Sequence, residues 1–484
     1  MEFQKQAKCD KWEPYQEILS RNPRMERIVR QISFPTNDAA AVTSVCVLAP
    51  ALGSFTQWLL QGALTGGKER LYFLARDGYL MYQAAGIFCE VLDLPVTCRY
   101  LSCSRYSLRL PALHRNREEA LDFLCRKASG MTPEKLLRRA GLTQEESADV
   151  LRRLSLGLQP EEALAPARLP EIRRALACCP TFWTYVDEHS REAMPGLAGY
   201  LRQEGLLEER PYAIVDSGWT GSMQKTLGDI LGDLGRGQQL EGYYWGLYEA
   251  PPHVDRRNYH CCYFRPEDGL REKVFFNNCL FEAVFTAPHG MTLGYRRQGP
   301  IYVPVYGASP AARNGFLQGI EPYFRQYIRI LAAETGKAEV TQYDFRQDLP
   351  AIRALLKSFM TRPSREEAET FGSLPFSDDV LEGGETQLAA PLTQAQIRRH
   401  HPLPRLLNLS RSPFQESPWY EGSVMRYGRG VGYHLLQHTM FQYLRYIRKI
   451  RYARKKDGKS HGRFATAQAI RLCHPAADGK GTQA

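Results

Sequence analysis

Two short apolar runs, each closed by a polar turn and followed by helical spacing, constrain this chain more than any other feature. The first, Lys68 to Ala75, reads as a buried strand with Arg76-Asp77-Gly78 as its turn. Helical spacing follows from Tyr79 to Leu92, and a second strand from Val96 to Ser102 closes at Cys103-Ser-Arg105. Strand, helix and strand at these lengths make a βαβ unit, which implies a parallel sheet with ligands at the carboxyl ends of its strands. The pattern resumes with an apolar run from Pro211 to Val215, a turn Asp216-Ser-Gly-Trp-Thr-Gly-Ser222, a helix from about Met223 to Leu234 and a strand from Leu240 to Tyr248. Both turns then lie at one edge of one sheet. The expected fold is α/β, a parallel, Rossmann-like sheet with a helical insertion and a mainly helical C-terminal region.

The chain divides accordingly. Residues 1–38 read as a helical lead-in, 39–115 as the first part of the α/β domain, and 116–208 as the helical insertion. The insertion carries its own start signals, Thr132-Pro-Glu134 and the capping box Thr143-Gln-Glu-Glu146. Residues 209–295 complete the α/β domain with the phosphate-type turn. Residues 296–440 form a mainly helical region with a loop or flap at 372–391, and 441–484 form a basic tail. The start of the chain is charged and has no apolar core of a signal peptide, and no run approaches the length of a spanning helix. The most apolar stretch, Ala39 to Leu60, is broken by Thr43, Ser44, Pro50, Gly53, Ser54 and Gln57 and reads as a buried helix. A cytoplasmic location is the expectation. The 12 cysteines include no CxxC and no zinc spacing, so they read as reduced core thiols.

The turn at Asp216 carries the strongest chemical signal. Amides at a helix start lack partners and the macrodipole is positive there, so anions are drawn to it. Gly218 and Gly221 would allow close backbone approach, and Thr220 and Ser222 would add hydroxyl donors to a phosphate. An Asp216 carboxylate placed beside those amides is expected to be ionised at neutral pH, holding a sugar hydroxyl or Mg2+. Asp77 would act with it from the neighbouring strand, and Arg76, Gly78 and Arg105 would help to bind phosphate. Against this stands a plainer reading, in which Ser217 or Thr220 caps a helix and the glycines make a tight turn.

Asp216, Thr220 and Gly221 resemble the phosphate loop of type I phosphoribosyltransferases, although Val215 and Met223 replace its first acid and last Thr. Asp216, Gly218 and Thr220 also match the Asp-x-Gly-x-Thr of sugar kinases and actin-like proteins. A wider resemblance rests on Phe73-Leu-Ala-Arg-Asp-Gly78, Leu101-Ser-Cys-Ser-Arg105, Val215 to Ser222, Phe281-Glu282 with Ala287-Pro-His-Gly290, and Trp419-Tyr-Glu-Gly-Ser423. Together these are similar to the carboxyl-terminal region of bacterial haloacid-dehalogenase-type hydrolases that accompany glycosyltransferases of surface-polysaccharide biosynthesis. The amino-terminal half that bears that family's hydrolase aspartates has no counterpart here, and Gly218 stands where the second aspartate of an Asp-x-Asp-x-Thr motif would be. The resemblance implies a phosphorylated sugar or nucleotide as ligand and glycosyltransferases as partners. The protein is either an enzyme on such a substrate, hydrolase or transferase, or a non-catalytic module that binds a sugar nucleotide or organises glycosyltransferases.

Glu282 and His289 flank a Pro-Gly turn and are a candidate acid/base pair, although a histidine there is often structural. Trp219 either stacks on a ligand ring or packs in the core. The net charge of +11 is concentrated in the RYIRKIRYARKKDGK run from Arg445 to Lys459, so nucleic-acid coating is not expected. Leu436, Met440, Tyr443, Ile447 and Ile450 recur there at helical spacing, with Arg445, Arg448, Lys449 and Lys455 largely off the stripe. The favoured expectation is a helix docked on the protein by that stripe with a solvated basic face. Peripheral contact of residues 436–456 with an anionic membrane is the alternative.

Overall fold

The computed structural model describes residues 8–128, 130–377, 381, 386–407 and 417–448. Five strands form a wholly parallel sheet: β1 (Arg70–Leu74), β2 (Thr97–Leu101), β3 (Tyr212–Trp219), β4 (Glu241–Leu247) and β5 (Tyr259–Phe264), in the order β2-β1-β3-β4-β5. The expected βαβ unit is present, with the helix Gly78–Leu92 crossing from β1 to β2. Fully buried β1 reads Arg-Leu-Tyr-Phe-Leu, a near-continuous apolar run, because both faces of a parallel sheet are covered.

Alternation along the strands assigns each face. Leu71, Phe73, Ala213, Val215, Tyr243 and Trp245 pack into the main core. That core also holds the helices Ala49–Thr65, Gly78–Leu92, Ala311–Glu334 and Leu349–Thr361. Tyr72, Leu74, Leu101, Tyr212 and Ile214 face the other way, onto Leu197, Tyr200 and Leu201 of the helix Pro180–Gln203 and Leu227, Ile230 and Leu231 of Ser222–Asp233. The result is a three-layer α/β/α arrangement.

The apolar stretch from Ala39 to Thr65 is helical throughout, with a π turn at Ser44–Leu48. It is long and apolar enough to cross a membrane, but 94% of its most apolar window is buried inside the protein. The insertion between β2 and β3 has a core of its own, in which Leu121, Leu124, Leu136, Leu137, Val150 and Ile172 pack on Phe182 and Trp183. Its expected capping box at Thr143 and Glu146 is formed. Two features escaped the sequence: β5, and an antiparallel hairpin of β6 (Thr292–Gln298) and β7 (Ile301–Tyr306) that straddles the expected boundary between the α/β part and the mainly helical region at 295 and 296. The expected flap is in part a short hairpin of Pro375–Phe376 with Thr386–Gln387, and the rest of it lies partly outside the described residues.

The lead-in helix Trp12–Leu19 is tied to the far end of the chain through a buried carboxyl. Glu367 Oε1 accepts from Tyr15 Oη at 2.5 Å and from Thr43 Oγ1 at 2.8 Å, and Glu367 Oε2 accepts from the Ser364 amide at 2.8 Å. The residues of the lead-in are therefore part of the same core as residues 349–371.

Candidate active site

In an open parallel sheet the strand order reverses at one point, and the connections on either side of it depart to opposite faces, leaving a crevice at the carboxyl ends. Here that point lies between β1 and β3, which pair in parallel from Arg70 with Tyr212 to Phe73 with Val215. A cavity of about 930 Å3 opens there. Ala75, Arg76 and Asp77 line it from the end of β1, Cys103 to Arg105 from the end of β2, and Asp216 to Thr220 and Ser222 from β3 and the following turn. Arg126, Lys127 and Arg139 of the helical insertion form another wall, as expected of a segment inserted between the strands that make the cleft. The C-terminal region supplies His400, Arg405, Glu421, His438, Arg445 and Arg448.

The segment expected to be a turn from Asp216 to Ser222 is mostly strand. β3 runs on to Trp219 and keeps its pairing to β4 through Gly218 with Gly246 and Trp219 with Leu247. Gly218 has φ +120, and a Cβ on it would stand 2.1 Å from the Gly246 carbonyl oxygen. Its missing side chain is thus required by the neighbouring strand as well as by the cavity it lines. Trp219 follows with φ 83, a conformation that side chains rarely adopt. Gly221, at φ 61, caps the helix Ser222–Asp233, and a Cβ there would meet Tyr259 at 2.7 Å and Pro251 at 3.3 Å. Gly221 therefore packs against β5, and neither it nor Gly78, the first residue of its helix, lines the cavity. Thr220 and Ser222 do line it, with Thr220 Oγ1 3.2 Å from Ser222 Oγ at the helix start.

This geometry overturns the expected ionisation of Asp216. Because β3 continues, Asp216 lies inside the strand rather than at the helix start, and its half-buried side chain stands close to Asp77 and Glu282. Burial first, and the Asp77 charge second, push it up to about 8, although Arg105 and the Ser217 amide, which donates to Oδ1 at 2.9 Å, pull the other way. Asp77 is also raised by burial, against the pull of the Ser217 hydroxyl that donates to Oδ2 and of Arg76 and Arg105. Glu282 is pushed up to about 7 by burial and by Asp77, while Arg105 and the Trp219 indole, which donates to Oε1, hold it down. Three carboxyls on three segments thus sit side by side, two of them balanced near neutrality.

Trp219 takes the core role of the two that were open. It packs among Tyr248, Phe264, Phe276 and Phe281, and its indole N–H fixes Glu282. We expect Trp219→Phe to keep the packing and remove this donor. The ionised form of Glu282 then loses a hydrogen bond, so the Glu282 titration should move upward while the melting temperature falls only slightly. A carbonyl-edited infrared or NMR titration of Glu282 reads this directly, and an unmoved or lowered midpoint contradicts it.

His289 does not join Glu282 on the cavity. Its Nε2 lies 2.7 Å from the Tyr100 hydroxyl and its Nδ1 2.8 Å from the Gly290 carbonyl, with the ring against Tyr306. Glu282 is thus separated from His289 and grouped with Asp216 and Asp77 on the cavity. Sequence reasoning also missed the second group of cations, Arg126, Lys127, Arg139 and Arg405, and a fourth carboxyl, Glu421, which burial raises to about 7. None of these lies near a strand end, so no local pattern marked them.

Eight cationic side chains against four carboxyls line the cavity, and the carboxyls lean toward their neutral forms. Arg126 is lowered by burial and by the positive charge of Arg105. The site is electropositive and favours an anionic ligand. Among the described residues no group of three or more His, Cys, Asp or Glu side chains has ligating geometry. Carboxyls held toward protonation are also poor ligands for a divalent cation. The 11 cysteines among the described residues are all free, and Cys103, which lines the cavity, is pushed far up by burial. No family model and no curated protein matches the chain, so the chemistry of the cavity rests on its geometry.

Proposed function

We propose that the protein is an enzyme acting on a phosphorylated sugar or nucleotide, with this cavity as its active site. The observation that carries the reading is the placement of Asp216 and Glu282, held near neutrality, with Asp77, also raised by burial, beside Arg76, Arg105 and Arg126 at the sheet's switch point. Arginines bind phosphate oxygens bidentately, and the start of the helix Ser222–Asp233 offers amides and two hydroxyls to the same anion. Asp216, protonated at neutral pH, can give its proton to a leaving oxygen. Glu282, close to half ionised, can take one from an incoming water or hydroxyl. One proton enters the substrate and one leaves it, so the net charge of the site is unchanged. Hydrolysis and group transfer both fit this exchange. The resemblance to polysaccharide-associated hydrolase regions favours a role in surface-glycan assembly, alongside glycosyltransferases. A binding module that organises those enzymes would need the arginines but not carboxyls poised to exchange protons.

The test is a thermal-shift screen of sugar phosphates, nucleotides and nucleotide sugars, with and without magnesium, on wild type and Arg105→Ala. Charge-assisted hydrogen bonds contribute about 1.5–3 kcal/mol, so the variant should bind a stabilising ligand roughly 10- to 100-fold more weakly. A protein that no phosphoester stabilises, or an Arg105→Ala variant that binds as tightly as wild type, would overturn the assignment.

A further inference from the structure

The C-terminal helix was expected to dock by its apolar stripe, but of that stripe only Tyr443 packs inward, on Phe275, while Leu436, Met440 and Ile447 are exposed. His434, His438 and Phe441 are the buried positions of this helix. The inner face is pinned where His434 Nδ1 meets His401 Nε2 at 2.9 Å, and where His438 Nε2 lies 3.6 Å from Glu421, burial driving both of the latter toward neutral forms. Outward stand Tyr433, Leu436, Met440 and Ile447, with Leu444 exposed at the edge of the cavity, at spacings of three and four residues that place them on one face. Leu436 is 59% exposed and Met440 48%. With two leucines of the helix Pro402–Leu407, these make up seven of the ten large apolar side chains exposed among the described residues. Such a concentration marks an interaction surface.

Charge selects what covers it. From Gly422 to Lys456 the sequence holds nine basic residues and no acidic one. Of these, Arg429 is exposed away from the cavity, and Arg445 and Arg448 are exposed along its wall. Lys449, Ile450 and Lys455 of the original stripe and its flanks lie outside the described residues. A neutral apolar partner would not use this excess, and a second copy of the chain would bring like charge against like charge. An apolar stripe on a segment whose charged residues are all basic matches the boundary between acyl chains and anionic headgroups.

We propose that the outer face of residues 431–448 docks the protein on an anionic lipid bilayer. The inner side of the same helix lines the cavity through His438, Phe441, Arg445 and Arg448. Docking therefore sets the cavity wall against the bilayer surface. The inference rests on exposure and charge and stands whether or not the cavity is catalytic.

Vesicle flotation of the full chain tests it, with phosphatidylglycerol-containing and phosphatidylcholine-only vesicles. Leu436→Gln combined with Met440→Gln changes two exposed side chains that do not line the cavity. Wild type should float with the anionic vesicles only, and less so at high salt. The double variant should lose roughly tenfold or more in vesicle affinity while keeping its circular dichroism spectrum and melting temperature. Three results would overturn the proposal: wild type that fails to float, a double variant that floats equally well, or self-association that the double variant abolishes without any vesicle binding.

Discussion

Asp216→Asn should lower turnover by about 100- to 10,000-fold, the usual contribution of a positioned general acid, while leaving the fold intact. The amide has nearly the shape of the acid, and it cannot ionise. Since burial beside Asp77 and Glu282 raises Asp216 to about 8, the folded protein already favours a neutral side chain there at pH 7. Stability at pH 7 should be unchanged or slightly higher. The sign of the pH dependence follows from the same shift. In the unfolded chain this carboxyl loses its proton near its ordinary value of about 3.9, so between about 4 and 8 the folded state binds more protons than the unfolded one. Stability is then greatest below that window, falls as pH rises through it by up to about 1.4 kcal/mol per pH unit, and levels off above it. Asp216→Asn should flatten the slope, leaving the part due to Glu282. In wild type, turnover that needs a protonated Asp216 should decline above about pH 8. Steady-state kinetics on a substrate from the screen, and urea melts at several pH values, read both effects. Full turnover in the variant would remove Asp216 from the chemistry. A ligand that binds equally well to the variant without any turnover in wild type would instead favour the binding module.

What was legible in the sequence was whatever depends on neighbours along the chain. Apolar runs of five to nine residues announced β1 to β4, and the capping residues Thr132 and Thr143 announced the insertion helices, because both signals are local. That Asp77 and Asp216 would share a site followed from parallel strands ending at one edge, and the Ser217 to Asp77 hydrogen bond is the result. Burial was not legible. The same residues Asp216-Ser-Gly-Trp suit a turn or a strand, and what decides is the pairing of Gly218 and Trp219 with β4, some 28 residues away. That pairing carries Asp216 away from the helix start and reverses its expected ionisation. The stripe at 436–447 shows the same limit: periodicity finds the apolar face of a helix but not the direction in which tertiary contacts of His434 and His438 turn it.

The pairing at Gly218 makes the second large prediction. Gly218→Ala should destabilise the protein by about 3 kcal/mol or more, enough to reduce soluble yield sharply, since two separate costs fall on one methyl group. At φ +120 an alanine is strained wherever it is placed, and its Cβ would stand 2.1 Å from the Gly246 carbonyl oxygen, a backbone atom that cannot swing aside as a side-chain end can. Relief requires β3 and β4 to separate at the point where Asp216 and Trp219 enter the cavity, so a surviving variant should also lose ligand binding. Gly86→Ala is the control. Gly86 lies within the helix Gly78–Leu92 with nothing within 4 Å of its added methyl group, so alanine should be neutral or stabilise by up to about 1 kcal/mol. Chemical denaturation of the two variants beside wild type measures the contrast. If Gly218→Ala unfolds at the wild-type midpoint, β3 does not hold its pairing with β4 through Trp219, and the upward shift of Asp216 that follows from that pairing fails with it.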